Sequence, residues 1–228
     1  MLRRHYGRLS CEGGFEARCH MELPGRSLAG ARIVNVGCRR GKGTYKLSEQ
    51  VGEGGFVIGV DWSEAFVEAA RRGVPAALDR SGLSRCNMAF RVGFPEDLAA
   101  AGIEEGWADF VYLNSSLSLF ASPSRTLKEC CRVLAPGGAL LAEVPVAAPD
   151  VANRAAIAKA ARALPNAVQA APTFEELLAW LAEAGFAEPV IRSERPLSPD
   201  EGSTPDRPAA MVPGDEATYR LLTVEASK

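Results

Sequence analysis

Apolar residues arrive in short bursts, separated by stretches in which they recur every three or four positions. The first burst, Arg32-Ile33-Val34-Asn35-Val36, is β-branched and stops at Gly37, the pattern of a buried strand. Thr44 to Val51 follows at helical spacing, with Tyr45, Leu47 and Val51 apolar, and Gly52-Glu53-Gly54-Gly55 makes a turn. A second burst, Phe56 to Val60, is closed by Asp61. Ser63 is placed to cap a helix from Glu64 to Arg72, whose Phe66, Val67 and Ala70 share a face. The alternation continues with strands at Met88–Val92 and Asp109–Leu113, a helix from Ser124 to Leu134, a Pro136-Gly137-Gly138 turn and a strand at Ala139–Val144. An alanine-rich helix is predicted over 150–163. Thr173-Phe174-Glu175-Glu176 reads as a capping box that starts a helix ending at Gly185. Two more strands follow, one from Pro189 and one over Thr218–Val224.

Strands alternating with helices imply βαβ units and a parallel sheet. The expectation is an α/β fold: a doubly wound, seven-stranded, mostly parallel sheet with an antiparallel final strand and helices on both faces. In such sheets ligands sit beyond the carboxyl ends of the strands, here the first, second and fourth. Residues 1–30, rich in Gly and Arg and without a period, form an N-terminal arm, and residues 31–228 form the domain. Residues 196–216 carry five of the 15 prolines and are expected to be a surface loop or insert.

Composition narrows the function classes. Hydrophobic residues at 47% and charged residues at 24% are those of a globular chain. Lys+Arg 26 against Asp+Glu 28 leaves a formal charge of −2, which argues against nucleic acid or an anionic membrane as partner and for a small molecule. No apolar run reaches the roughly 18–20 residues that span a bilayer. Met1 to Tyr6 has no apolar stretch behind its basic residues, so a cytoplasmic location is expected. The six cysteines then read as free thiols. Cys11, Cys19 and His20 are the one grouping with metal-ligand character, but no second Cys/His pair completes a zinc spacing, so no metal site is expected.

The informative segment is Val36-Gly37-Cys38-Arg39-Arg40-Gly41-Lys42-Gly43-Thr44. A glycine turn between a first strand and a first helix lets a ligand approach the backbone, and the helix N-terminus offers N–H groups. A phosphate-binding P-loop needs four residues between its glycine and Gly-Lys; Gly37 and Gly41 enclose three, and Gly43 follows Lys42. The dinucleotide pattern G-x-G-x-x-G fails as well, since its positions fall on Arg39 or Lys46. S-adenosylmethionine binding is the third class using this geometry. Asp61, at the tip of the second strand, suits it by accepting from both ribose hydroxyls, with Trp62 to cover an adenine face. The alternative for Asp61 is a helix N-terminal anion beside Ser63.

With these residues in view, the chain resembles a class I S-adenosylmethionine-dependent methyltransferase, and within that class the arsenite methyltransferase family. The resemblance runs from about Tyr6-Gly7 to Glu225. It is carried by Ile33-Val34-Asn35-Val36-Gly37, Lys46-Leu47-Ser48-Glu49-Gln50-Val51-Gly52, Val57-Ile58-Gly59-Val60-Asp61, Gly93-Phe94-Pro95-Glu96-Asp97-Leu98, Arg132-Val133-Leu134-Ala135-Pro136-Gly137-Gly138 and Tyr219-Arg220-Leu221. It implies a Rossmann-like methyltransferase fold, S-adenosylmethionine as cofactor and a small-molecule methyl acceptor. It also implies a cofactor pocket drawn from Asn35, Gly37, Cys38, Arg39, Gly41, Asp61, Trp62, Phe94, Pro95, Glu96, Asn114 and Ser115.

The chain departs from that family at two places. Where the family has an acid and a central glycine, this chain has Asn35 and Arg39. A cation ~6 Å from a sulfonium costs about 3 kcal/mol at an effective dielectric near 20. Where the family holds trivalent arsenic on cysteines, this chain has Ser115 and, near Ala167, no thiol. Serine does not replace a soft thiolate, so no efficient arsenite methylation is expected. No catalytic base is assigned: the two histidines, His5 and His20, both lie in the N-terminal arm. A second expectation is a non-catalytic binding module that has lost cofactor affinity.

Overall fold

The computed structural model describes residues 1–9, 23, 27–149, 152–201 and 210–228. Cys11, Cys19 and His20 lie outside the described residues, as do residues 202–209 of the proline-rich stretch. Seven strands, β1 (Arg32–Val36), β2 (Phe56–Asp61), β3 (Met88–Val92), β4 (Ala108–Asn114), β5 (Leu134–Ala147), β6 (Val190–Leu197) and β7 (Tyr219–Ser227), form one sheet in the order β3-β2-β1-β4-β5-β7-β6. β7 runs antiparallel to both its neighbours, and the pairs among β3, β2, β1, β4 and β5 are parallel. The strand order reverses direction between β1 and β4, so their carboxyl ends diverge and open a crevice there.

Six helices complete the described chain: α1 (Leu2–Tyr6), α2 (Lys42–Val51), α3 (Glu64–Ser81), α4 (Pro123–Val133), α5 (Arg154–Ala163) and α6 (Phe174–Ala184). One sheet face, with Val34, Val36, Ile58, Val60, Val111 and Leu113, packs on Leu127 and Cys130 of α4, Ala161 of α5, and Leu177 and Leu181 of α6. The other presents Ile33, Val57, Phe110 and Leu141 to Leu47 and Val51 of α2, and Phe90 to Val67 and Ala70 of α3. Each fully buried leucine or valine contributes roughly 1.5–3 kcal/mol. A continuous apolar run in the central strands is what a two-sided burial requires.

Several boundaries differ from the periodicity reading. α3 does not stop at Arg72 but continues through Gly73 and Pro75 to Ser81. β5 begins at Leu134 and takes in the Pro136-Gly137-Gly138 segment instead of starting after it. α5 starts at Arg154, with Asn153 at its N-cap in a left-handed conformation (φ 67). The capping box of α6 is formed as expected: Glu176 N–H donates to Thr173 Oγ1, and Thr173 N–H donates to Glu176 Oε2. No described helix is long and apolar enough to cross a membrane.

Candidate functional site

The chain leaves β1 at Val36 and must turn at once into α2. Gly37 (φ 72) and Gly41 (φ 85) take left-handed conformations that a glycine adopts without strain. A Cβ at Gly41 would lie 2.8–2.9 Å from Tyr45, Ala70 and Phe90, so this glycine is also what lets the turn sit down on α3. A Cβ at Gly37 would stand 3.0 Å from Ser116 Oγ and 3.4 Å from Phe120. The turn is pinned to β2 by Gly37 and Cys38 N–H donating to the Val60 carbonyl, at 2.8 and 3.0 Å.

Arg39 has φ 48, a left-handed value uncommon for a residue with a side chain. That conformation aims its N–H at Asp61 Oδ2, 2.8 Å away. Its guanidinium lies 5.4 Å from the Phe66 ring centroid, and that of Arg40 lies 5.5 Å from the same centroid. The arginine in the glycine position therefore lies over the start of α3. Asn35 is buried and donates from Nδ2 to Thr44 Oγ1 at 3.0 Å, which ties the strand end to the first turn of α2.

Asp61 is 0% exposed, and Ser63 N–H donates to its Oδ1 at 2.9 Å. Burial raises its carboxyl to about 6, against the opposing pull of the Ser63 and Arg39 N–H groups and the Arg39 charge. Both readings offered by the sequence are thus visible here. The carboxylate closes the second strand beside the glycine turn, and it also accepts from the start of the segment leading into α3. Cys38 is buried next to it, and burial followed by the Asp61 charge pushes its thiol well above the usual range.

The wall facing this turn is aromatic. Trp62 stacks on Tyr6 of α1 at 4.6 Å, Tyr6 stacks on Phe94 at 5.4 Å, and Phe120 meets Trp62 edge-on at 6.1 Å. Tyr6 OH donates to Glu96 Oε1 at 2.7 Å, and Ser122 N–H donates to the same oxygen at 3.1 Å. Burial, followed by the charge of Glu96, holds the Tyr6 phenol far above its ordinary range, so it stays a donor. Pro95 is buried between these partners in sequence. At the tip of β4, Asn114 Nδ2 is 3.5 Å from Tyr112 Oη, and Ser115 turns left-handed (φ 49) with its N–H on the Glu143 carbonyl at 2.7 Å. A non-glycine residue held in that region costs about 1–3 kcal/mol, and such strain concentrates at functional sites. Ala167, in the segment matched to one of the family's arsenic-binding thiols, is buried, and its carbonyl accepts from Ser118 Oγ at 2.8 Å.

The structure thus brings Gly37, Cys38, Arg39, Gly41 and Asp61 into one turn, Trp62, Phe94 and Glu96 into the facing wall, and Asn114 and Ser115 to the neighbouring strand tip. Asn35 sits beneath the turn, bonded to Thr44. Sequence reasoning missed Tyr6, Ser116 and Phe120 as parts of this crevice. The Tyr6-Gly7 pair at the head of the resemblance was the available signal for the first.

An adenosyl amino acid is a flat base, a diol and a polar head, and the lining can be tested against it. Glu96 Oε2, Asn114 Oδ1 and Ser116 Oγ are buried and have no hydrogen-bond partner. Such atoms cost about 1–3 kcal/mol each until a ligand satisfies them. Two are acceptors and one is a hydroxyl, which suits the amino groups of such a ligand. Trp62 and Phe94 suit its base. For Asp61 to hold the diol, it must exchange the Arg39 N–H for a ribose hydroxyl. With that exchange, the residues present fit the group.

Comparisons with known proteins bear on the same region. A family described as a methyltransferase domain matches residues 27–185. Arsenite methyltransferase from Mus musculus is 36% identical over 122 residues, covering 54% of this chain and 32% of that one. Demethylmenaquinone methyltransferase from Shouchella clausii is 34% identical over 113 residues, 50% of this chain and 44% of the other. Among solved structures, an arsenic(III) S-adenosylmethionine methyltransferase from Chlamydomonas reinhardtii superposes with a TM-score of 0.78 at 25% identity, over 92% of this chain and 67% of that one. The chain spans about a third of the arsenite methyltransferase it matches and under half of the demethylmenaquinone one. Glycine turn, strand-tip acid, sheet order and sequence match agree: the chain belongs to the class I S-adenosylmethionine-dependent methyltransferase family.

Proposed function

We propose that this domain binds S-adenosylmethionine in the crevice between β1 and β4 and methylates a small acceptor other than thiolate-bound arsenic. The observation that carries the reading is the set of partnerless buried atoms: Ser116 Oγ against Gly37, Asn114 Oδ1 at the tip of β4, and Oε2 of Glu96, whose other oxygen holds Tyr6. When bound, the cofactor supplies a methyl group on a sulfonium. Everything else falls to the chain. Ser116 Oγ and Asn114 Oδ1 would receive the amino acid head, and Trp62, Phe94 and Tyr6 of α1 form the aromatic wall against which the base would lie. Methyl transfer needs chiefly positioning of donor and acceptor, so a rigid lining of this kind is the main requirement. Ser115 and the segment around Ala167 stand where the related enzymes' thiols are expected, which supports an oxygen, nitrogen or carbon acceptor.

A second reading has its own support. Asp61 is fully buried and holds the Arg39 amide, so the turn and the acid already satisfy each other. On that reading the domain is a non-catalytic relative. Calorimetric titration with S-adenosylmethionine and S-adenosylhomocysteine decides between them. Micromolar binding is expected on the first reading. Heat that develops only after Arg39→Gly is combined with Asn35→Asp would establish the second.

A further inference from the structure

α1 places a histidine at the rim of this crevice. His5 Nε2 is 2.9 Å from the carbonyl oxygen of Leu119, in the 3-10 turn Leu117–Leu119 that follows the tip of β4. A carbonyl only accepts, so in the neutral ring the proton must sit on Nε2 and the lone pair on Nδ1. The imidazole is fixed from two sides, by Leu119 and by an edge-to-face contact with Tyr6 at 4.9 Å. Nδ1 has no hydrogen bond among the described residues and is not among the buried partnerless atoms, so solvent or a ligand reaches it. A ring held in one tautomer by a backbone carbonyl, with its basic nitrogen unengaged by any described residue, is the arrangement a general base needs.

We propose that His5 is the general base of this site, taking the proton of an acceptor hydroxyl of phenol-like acidity. The inference rests on the methyltransferase reading for its purpose, though not for its test. In the step, the acceptor's O–H bond breaks and its electron pair stays on oxygen. The proton forms the Nδ1–H bond and later leaves to solvent. The resulting oxyanion is the nucleophile that a sulfonium methyl donor requires. The cations of the surrounding segments favour an anion at this place. Arg162 of α5 donates to the neighbouring Ser118 carbonyl, and Arg3, Arg4 and Arg8 flank the histidine in its own segment. Glu96 accepts from the hydroxyl of the Tyr6 ring that His5 packs against.

The test uses 4-nitrocatechol, whose phenolate is coloured, with the full chain and no cofactor. His5→Gln keeps an N–H donor for the Leu119 carbonyl and removes the base. Bound to the wild type, the probe is expected to ionise about tenfold more readily than in free solution. The glutamine variant should return it to the free value while S-adenosylhomocysteine affinity stays unchanged by calorimetry. Nitrogen NMR of the wild-type imidazole gives an independent readout and should show Nδ1 unprotonated in the neutral ring. The assignment is overturned if the probe ionises as in free solution in the wild type, if the glutamine variant keeps the shift, or if the proton is found on Nδ1. Should the probe shift but S-adenosylhomocysteine fail to bind, the base stands and the methyltransferase reading falls.

Discussion

Arg39 holds a backbone shape that a glycine would adopt without strain. Its φ of 48 costs about 1–2 kcal/mol relative to an ordinary conformation. Replacing it by glycine recovers that amount but frees the unfolded chain, which costs roughly 0.5–1 kcal/mol, and removes the contact with Phe66, worth about 0.5–1 kcal/mol. These nearly cancel, so Arg39→Gly is expected to leave stability within about 1 kcal/mol of the wild type. Its effect should appear instead in charge selectivity. S-adenosylmethionine carries a sulfonium and S-adenosylhomocysteine does not. Removing a guanidinium at the turn should therefore favour the former over the latter by about tenfold, read as the ratio of two dissociation constants. An unchanged ratio would show that Arg39 does not act on the ligand's charge.

What could be read from the residues follows the range of the interactions. Gly37, Gly41 and Asp61 lie within a single βαβ unit, so a local pattern announces them. Tyr6 reaches Glu96 across 90 residues of sequence, and no window of the chain shows that contact. Asn35 and Arg39 were legible as substitutions in a motif. Their consequences, a bond to Thr44 and a left-handed amide aimed at Asp61, depend on how β1, α2 and β2 meet.

At the scale of the elements, α3 shows how packing overrides punctuation. Gly73 and Pro75 both signal a break in the helical pattern. Yet the helix runs on to Ser81 and ends at a left-handed Gly82 that accepts the C-cap role. Gly73 is required by a neighbour: Tyr45 OH donates to the Ala70 carbonyl, and a Cβ at Gly73 would lie 2.3 Å from the Tyr45 hydroxyl oxygen. Pro75 has no such reason. It is exposed, twelve residues into the helix, where a proline removes one backbone hydrogen bond and crowds the preceding turn. Pro75→Ala is expected to stabilise the domain by about 1–3 kcal/mol, seen as a higher urea midpoint with unchanged slope. Gly73→Ala, by contrast, should destabilise it. If Pro75→Ala lowers the midpoint, the proline is shaping α3 in a way the surrounding contacts do not reveal.

For the whole molecule, the decisive group is Asp61, because it couples the ligand crevice to global stability. Its carboxyl rises from 3.8 to about 6 on folding, chiefly through burial. A carboxyl with a raised folded value binds more protons in the native state than in the unfolded chain between those two pH values. Stability therefore increases as pH falls from about 7 toward about 4, and the full penalty of burying the charge applies above about 6. A shift of this size corresponds to about 3 kcal/mol. Glu129 works in the other direction: although burial opposes it, Arg132 and the Leu98 and Ala99 amides hold its carboxyl below the usual value. Its contribution is present above 4.5 and is lost as pH falls below that. The two windows overlap little, so the urea midpoint should climb as pH falls from about 7 to about 4.5 and then fall below about 4. A bound ribose that replaces the Arg39 amide on Asp61 favours the ionised form. S-adenosylhomocysteine should then bind more weakly as pH drops through 6, where the ligand-free fold gains stability. Parallel rather than opposed trends in midpoint and affinity would show that the ligand does not reach Asp61.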